Sequence, residues 1–195
     1  MKKLSAILLL PCLLCSLFFT SCGSGTPAAD PGASDPGTVS DGGGETPAEP
    51  VDLDALVASI CEKYDLTTGF IFTSSSEEMG EYLDEDLIQS YYGDASDKPD
   101  FSKVSEYCLY VDESDPDIII DVGVFRMADK SYSDTFMQYL QSRIDVKIEN
   151  GARYTNIDVA TLKKSVVAKT GDYVYYVISY STAEIVADLK AALGK

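Results

Sequence analysis

The 195-residue sequence contains no histidine and no tryptophan. Without an imidazole, the chain cannot build Ser-His-Asp or Cys-His nucleophilic sites, histidine-ligated metal centres or the commonest general base. Among Cys22, Cys61 and Cys108 no CxxC or Cys/His spacing indicates zinc, and no glycine-rich phosphate loop follows a predicted strand. We therefore expect no cofactor and no metal. Catalysis by carboxylates is the enzyme chemistry that these absences leave open.

Basic residues are also scarce. The chain has 15 Lys and Arg against 32 Asp and Glu, a net charge of −17. Loss of the first 21 residues would remove Lys2 and Lys3, leaving 13 basic residues and a charge of −19. Such a charge repels nucleic acid and anionic lipid headgroups, so we expect no nucleic acid partner and no attachment to a membrane through basic patches.

The N-terminus has the pattern of an export signal. Lys2 and Lys3 precede an apolar run from Leu4 to Phe19, and the small Ser21 follows, which predicts a secretory signal peptide over residues 1–21. Phe19–Cys22 resembles the bacterial lipobox, which implies a lipid on the Cys22 thiol and a mature chain that begins there. Two acyl chains hold a protein stably on a membrane. The alternative is an ordinary cleaved signal followed by an incidental cysteine.

The chain after Cys22 divides into a tether and one domain. Residues 23–50 hold seven glycines and five prolines with scattered acids, a composition that cannot bury enough apolar surface to fold. We therefore predict a lipidated Cys22 with a disordered tether over 22–50 and a single domain over 51–195. The lipid would place that domain at the outer face of the bacterial cell membrane.

Two hairpins dominate the predicted domain. Val104–Val111 and Ile118–Met127 are rich in β-branched and aromatic residues and flank an acidic loop, and a second hairpin turns at Thr170–Asp172. Apolar residues at helical spacing predict helices near 53–64, 79–91 and 133–149, and Ser181–Glu184 matches a capping box before a last one. Gly69–Phe72 predicts at most a short strand. We expect an α+β fold, with an antiparallel sheet of about four strands and helices packed on one face.

Three groups of residues are candidate sites. Tyr173 and Tyr175 share one face of a predicted strand, where they either contact a ligand or form cross-strand packing pairs. Cys61 and Cys108 either form a disulfide or are two buried thiols. Asp121 interrupts an apolar strand, so it is either a desolvated catalytic carboxylate or a residue that points to solvent. The loop acids Asp112, Glu113, Asp115 and Asp117 are either a calcium site or a solvated turn.

The segments Ile118–Arg126 and Gly171–Ser179, with the helix between them, resemble a family of surface lipoproteins from Gram-positive bacteria that is catalogued as a domain of unknown function. The resemblance covers roughly Lys103 to Leu193. It implies no catalytic residues, and it agrees with the lipobox.

These observations favour a lipid-anchored extracytoplasmic module of the cell envelope that binds a cell-wall or protein ligand and has no catalytic activity. One alternative is a small envelope hydrolase that uses carboxylates, which requires two acids flanking a cleft. The other is a structural accessory subunit of an envelope assembly.

Overall fold

A computed structural model describes residues 49–94, 96–115 and 118–194 of the chain, with the backbone alone at residues 115 and 118. The predicted signal peptide, Cys22 and the predicted tether up to residue 48 lie outside these described residues. Within the described ranges, no helix is both long and apolar enough to cross a membrane.

Five α-helices and five strands make up the described domain, with two short 3₁₀ helices at Phe101–Lys103 and Lys130–Tyr132. In chain order they are α1 (Leu53–Lys63), β1 (Phe70–Thr73), α2 (Glu85–Tyr92), β2 (Val104–Asp115), β3 (Ile118–Met127), α3 (Ser133–Gly151), α4 (Val159–Leu162), β4 (Val166–Thr170), β5 (Tyr173–Ile178) and α5 (Thr182–Leu193). The strands form one sheet in the order β1-β2-β3-β5-β4, and every neighbouring pair is antiparallel. The predicted α+β class and both predicted hairpins, β2-β3 and β4-β5, are confirmed.

The predicted packing of helices on one face is wrong, because helices cover both faces of the sheet. On β5, Tyr173, Tyr175 and Val177 belong to the cluster of buried residues that includes α1 and α5. The alternate residues Val174, Tyr176 and Ile178 belong to the cluster that includes α2 and α3. A strand whose side chains are apolar on both faces is stable when helices cover each face, because both sets of side chains are then removed from water. The sheet also has five strands, since β1 adds an edge strand beside β2.

Local signals explain where several elements begin. The Asp52 carboxylate accepts a hydrogen bond from the backbone N–H of Ala55 and caps α1. Ser181 occupies the N-cap position of α5 but makes no side-chain cap bond, so the predicted capping box is not formed. Instead, the Thr182 hydroxyl donates to the Ser179 carbonyl at 2.6 Å. Gly171 has a φ of 57° in the β4-β5 turn, a conformation that favours glycine.

The central strand β3 has one face directed at α3. This face carries the buried residues Asp121, Gly123 and Phe125, and Phe125 lies edge-on against Phe136 of α3 at 4.9 Å between ring centroids. A Cβ at position 123 would lie 2.4 Å from the Tyr176 ring on β5, so only glycine fits there. The packing between β3 and α3 therefore determines where the Asp121 side chain lies.

Candidate functional site

Asp121 and Arg143 form a buried ion pair between the sheet and α3. The Asp121 side chain is fully buried, and that of Arg143 is 5% exposed. Arg143 donates to Oδ2 of Asp121 from Nε at 3.0 Å and from Nη2 at 2.7 Å. Burial acts to lower the pKa of the Arg143 guanidinium, but the Asp121 carboxylate outweighs it and the pKa is raised. Arg143 is therefore a permanent cation in this site.

Lys147 and Glu113 extend this pair into a charge cluster of four residues: Glu113, Asp121, Arg143 and Lys147. Lys147 lies one helical turn after Arg143, and its Nζ is 3.0 Å from Glu113 Oε1 and 3.3 Å from Asp121 Oδ2. Glu113 Oε1 also accepts a long hydrogen bond from Arg143 Nη2, at 3.5 Å. The cluster thus contains two cations and two carboxylates.

Aromatic rings from α2 support the guanidinium. The Arg143 Cζ lies 4.3 Å from the centre of the Tyr91 ring and 5.6 Å from that of Tyr92, both within cation–π distance. The hydroxyls of Tyr92 and Tyr176 are 3.3 Å apart, and burial raises the pKa of both. The rings therefore stay neutral and hold Arg143 in place by packing.

One oxygen of the cluster has no partner. Among the described residues, no group forms a hydrogen bond with the buried Oδ1 of Asp121. A buried acceptor without a donor costs free energy.

A cavity of about 380 Å³ opens above the charge cluster. Its lining residues come from α2, β2, β3, α3 and the segment before α4: Ser90, Tyr91, Glu113, Ile119, Arg143, Lys147, Asn150, Gly151 and Ile157. The volume lies within the range of small-molecule sites, and the lining combines apolar walls with a few converging polar groups. The arrangement can hold a small ligand against two cations.

This geometry lacks the pair of facing acids that a carboxylate hydrolase requires. Asp121 does not line the cavity, and Glu113 is the single carboxylate among the described residues that do. Asp121 does not point to solvent either, contrary to one sequence-based alternative, because α3 covers its face of the sheet.

Tyr173 and Tyr175, the predicted ligand contacts, are both buried beneath α1 and α5. The Tyr173 hydroxyl accepts a hydrogen bond from the backbone N–H of Val51 at 3.0 Å. Tyr175 is fully buried, so neither side chain offers a surface for a ligand. Apolar residues of α1 and α5 cover them.

Cys61 and Cys108 are free, buried thiols in the same apolar cluster as these tyrosines. The structure therefore contains no disulfide between them. Burial raises the pKa of Cys61 to about 11, so this thiol stays protonated at neutral pH.

Of the loop acids in the first hairpin, the structure describes the side chains of Asp112 and Glu113, and these two carboxylates have different partners. Asp112 is buried and accepts from the Ser114 hydroxyl at 2.6 Å, whereas Glu113 belongs to the charge cluster. No group of three potential metal ligands occurs among the described residues. Asp117 and the predicted lipidation site Cys22 lie outside them.

Sequence reasoning missed Arg143 and Lys147. A signal was present, because Arg143 lies between Leu140 and Ile144, two residues of the apolar stripe of α3. A cation on a buried helical stripe predicts a buried anion, and Asp121 is the acid within an apolar strand.

The fold and the cavity define a three-layered α+β domain, with helices on both faces of one sheet and a buried charge cluster beneath a ligand-sized opening. Residues 74–179 match the model of a family described as a domain of unknown function, DUF4358, and the chain belongs to this family. No curated protein and no solved structure matches the chain.

Proposed function

We propose that this protein is a lipid-anchored module of the bacterial cell envelope that binds a ligand in the cavity above the charge cluster without transforming it. The predicted export signal and lipobox support the location at the outer face of the membrane. The observation that carries the binding role is the position of Arg143 and Lys147, two nearly buried cations that line an open cavity.

A buried ion pair alone would not support binding, because such pairs also occur in protein cores as structural features. Here Glu113, Arg143 and Lys147 line a cavity together with apolar side chains from Tyr91, Ile119 and Ile157. A site of this composition can take up part of a ligand and orient it through a small number of charged contacts. The ligand class that the envelope location favours is a fragment of the cell wall.

The anchor is tested with the variant Cys22→Ala. We expect the wild-type chain from its native membrane to have an intact mass that starts at Cys22 and includes a lipid-sized increment. The variant should lose both that increment and retention in the membrane fraction, because two acyl chains supply stable attachment. An unmodified Cys22 in a chain that stays with the membrane would contradict the anchor.

The cavity is tested with Ser90→Trp, which places an indole at the cavity lining from an exposed position on α2. The full chain is titrated with soluble fragments from an enzymatic digest of the cell wall, and the melting temperature is recorded. We expect the fragments to raise the melting temperature of the wild-type chain, since a ligand that binds only the folded state stabilises it. The increase should vanish in Ser90→Trp.

Ser59→Trp is the matched control, because Ser59 is an exposed serine on α1, which covers the opposite face of the sheet. It should respond to the fragments as the wild type does. An equal response of Ser90→Trp, or no response of the wild-type chain, contradicts the proposal. Fragments that are recovered with a changed mass would show catalysis and support the hydrolase instead.

A further inference from the structure

We infer that the ligand carries a carboxylate next to an apolar group, and that this carboxylate replaces Glu113 on Arg143 and Lys147. This inference rests on the proposed binding function and names its ligand class. It follows from three observations: the charge balance of the cluster, the weaker binding of Glu113 than of Asp121 to Arg143, and the composition of the cavity walls.

The buried part of the cluster has an excess of positive charge. Arg143 and Lys147 have side chains that are 5% and 12% exposed, and the one fully buried acid, Asp121, balances only one of them. The second acid, Glu113, is 51% exposed. A buried cation is costly without a partner, so the second negative charge must come from the rim or from a ligand.

The two acids are held unequally. Arg143 binds Asp121 through two short hydrogen bonds of 2.7 and 3.0 Å, whereas its bond to Glu113 measures 3.5 Å. Glu113 is therefore held mainly by Lys147, at 3.0 Å. A half-exposed carboxylate with one good ion pair is worth little to stability. Its replacement by another carboxylate preserves the charge balance, while Asp121 stays in place.

The remaining walls select the rest of the ligand. Tyr91, Ile119 and Ile157 provide apolar surface, and Ser90 and Asn150 add polar groups. A polyphosphate would bring several negative charges to two cations that Asp121 already shares, within a chain of net charge −17. A single carboxylate attached to an apolar group fits this balance better.

The test measures the affinity of the full chain for two matched pairs of probes. The first pair is 4-phenylbutyrate and its neutral amide, and the second is acetyl-Ala-Phe with a free or an amidated C-terminus. We expect both acids to bind and both amides to fail. The tighter acid distinguishes a free small acid from the end of a peptide as the source of the carboxylate.

Two variants separate a ligand site from a purely structural ion pair. Glu113→Gln should bind the acids roughly threefold more tightly, because it removes the competing carboxylate at the rim. Lys147→Met should lose about tenfold or more in affinity, because it removes a nearly buried cation. Two control variants alter ion pairs away from the cavity: Glu106→Gln removes the pair with Arg126, and Lys169→Met removes the pair with Asp134. Both should retain the wild-type affinity.

Acids and amides that bind equally would overturn the inference, as would an unchanged or weaker affinity of Glu113→Gln. Absence of acid binding by both the wild type and Glu113→Gln would also overturn it. Glu113→Gln keeps the test decisive if Lys147→Met fails to fold. If the cell-wall fragments still stabilise the wild type and not Ser90→Trp, the binding function stands and only the carboxylate class falls.

Discussion

At the scale of single residues, Asp121 shows why the sequence analysis missed the charge cluster. Its position in β3 was visible, but its partner Arg143 lies 22 residues further along the chain. Strand alternation puts Asp121 on one face of the sheet and Val122 and Val124 on the other, and it predicts that the face with Asp121 meets solvent. The expectation failed because α3 covers it. A lone acid in an apolar strand indicates a buried partner only when both faces of the sheet are known to be covered.

Asp121→Asn tests whether the buried pair contributes as the geometry requires. Removing one charge of a buried pair leaves the other uncompensated, so we expect a loss of about 3 to 5 kcal/mol in the free energy of unfolding. Urea denaturation measures it. Asp134→Asn, in the exposed Lys169–Asp134 pair, should lose less than about 1 kcal/mol.

The double variant Asp121→Asn/Arg143→Met distinguishes charge imbalance from loss of packing. It should be less destabilised than the two single changes added together, because neither charge is then left without its partner. Equal losses of unfolding free energy for Asp121→Asn and Asp134→Asn would show that the buried pair stabilises the fold no more than an exposed one.

At the scale of elements, the two hairpins were predictable because local chemistry specifies them. The β2-β3 pair follows from two β-branched runs, and the β4-β5 turn requires a residue such as Gly171, which adopts a positive φ. The helix α3 followed from its apolar stripe and begins at Ser133, as predicted, but it continues to Gly151. Each of these signals lies within a short stretch of sequence.

Other features depend on distant contacts: the short strand at Gly69–Phe72 was predicted, but its pairing with β2 and the helix α4 were not. β1 has only four residues, and its pairing with β2 depends on a register of Phe70 with Val111, 41 positions away. The four-residue α4 is capped by the Asp158 side chain, a signal too short to distinguish from a turn. The sequence of β5 did indicate that both faces are covered, because its six residues are all aromatic or aliphatic, and the structure buries all six. A strand with no polar face predicts helices on both sides.

At the scale of the whole molecule, the absence of histidine affects how stability depends on pH. Histidine is the side chain whose ordinary pKa lies between about 5 and 8, and this chain has none. The titrating groups that folding perturbs are therefore aspartates on the acid side and thiols and tyrosines on the alkaline side. We therefore expect the free energy of unfolding to be nearly constant across the neutral range, down to about pH 5.

The acid limb of this profile should come from a repeated local motif. Hydrogen bonds from a serine or threonine two or three residues further on lower the pKa of four aspartates below 3.8: Asp94, Asp100, Asp129 and Asp158. A carboxylate with a lowered folded pKa adds stability above its unfolded pKa and loses it as the pH falls through the folded value. The urea midpoint should therefore decline below about pH 4. The urea midpoint of the double variant Ser102→Ala/Ser131→Ala should decline less, because the serine hydroxyls that donate to Asp100 and Asp129 are gone.

The alkaline limb should begin where the thiols of the unfolded chain ionise. Burial raises the pKa of Cys61 from 9.0 to about 11, so the folded state keeps this thiol neutral while the unfolded state loses its proton. The associated stability is complete below pH 9 and is lost as the pH rises toward 11. Urea midpoints between pH 2 and 11 measure both limbs. Cys61→Ser should reduce the loss of stability at alkaline pH only in part, because burial also raises the pKa of the Cys108 thiol. The variant should leave the acid limb unchanged, and a transition near pH 6.5 would contradict the whole account.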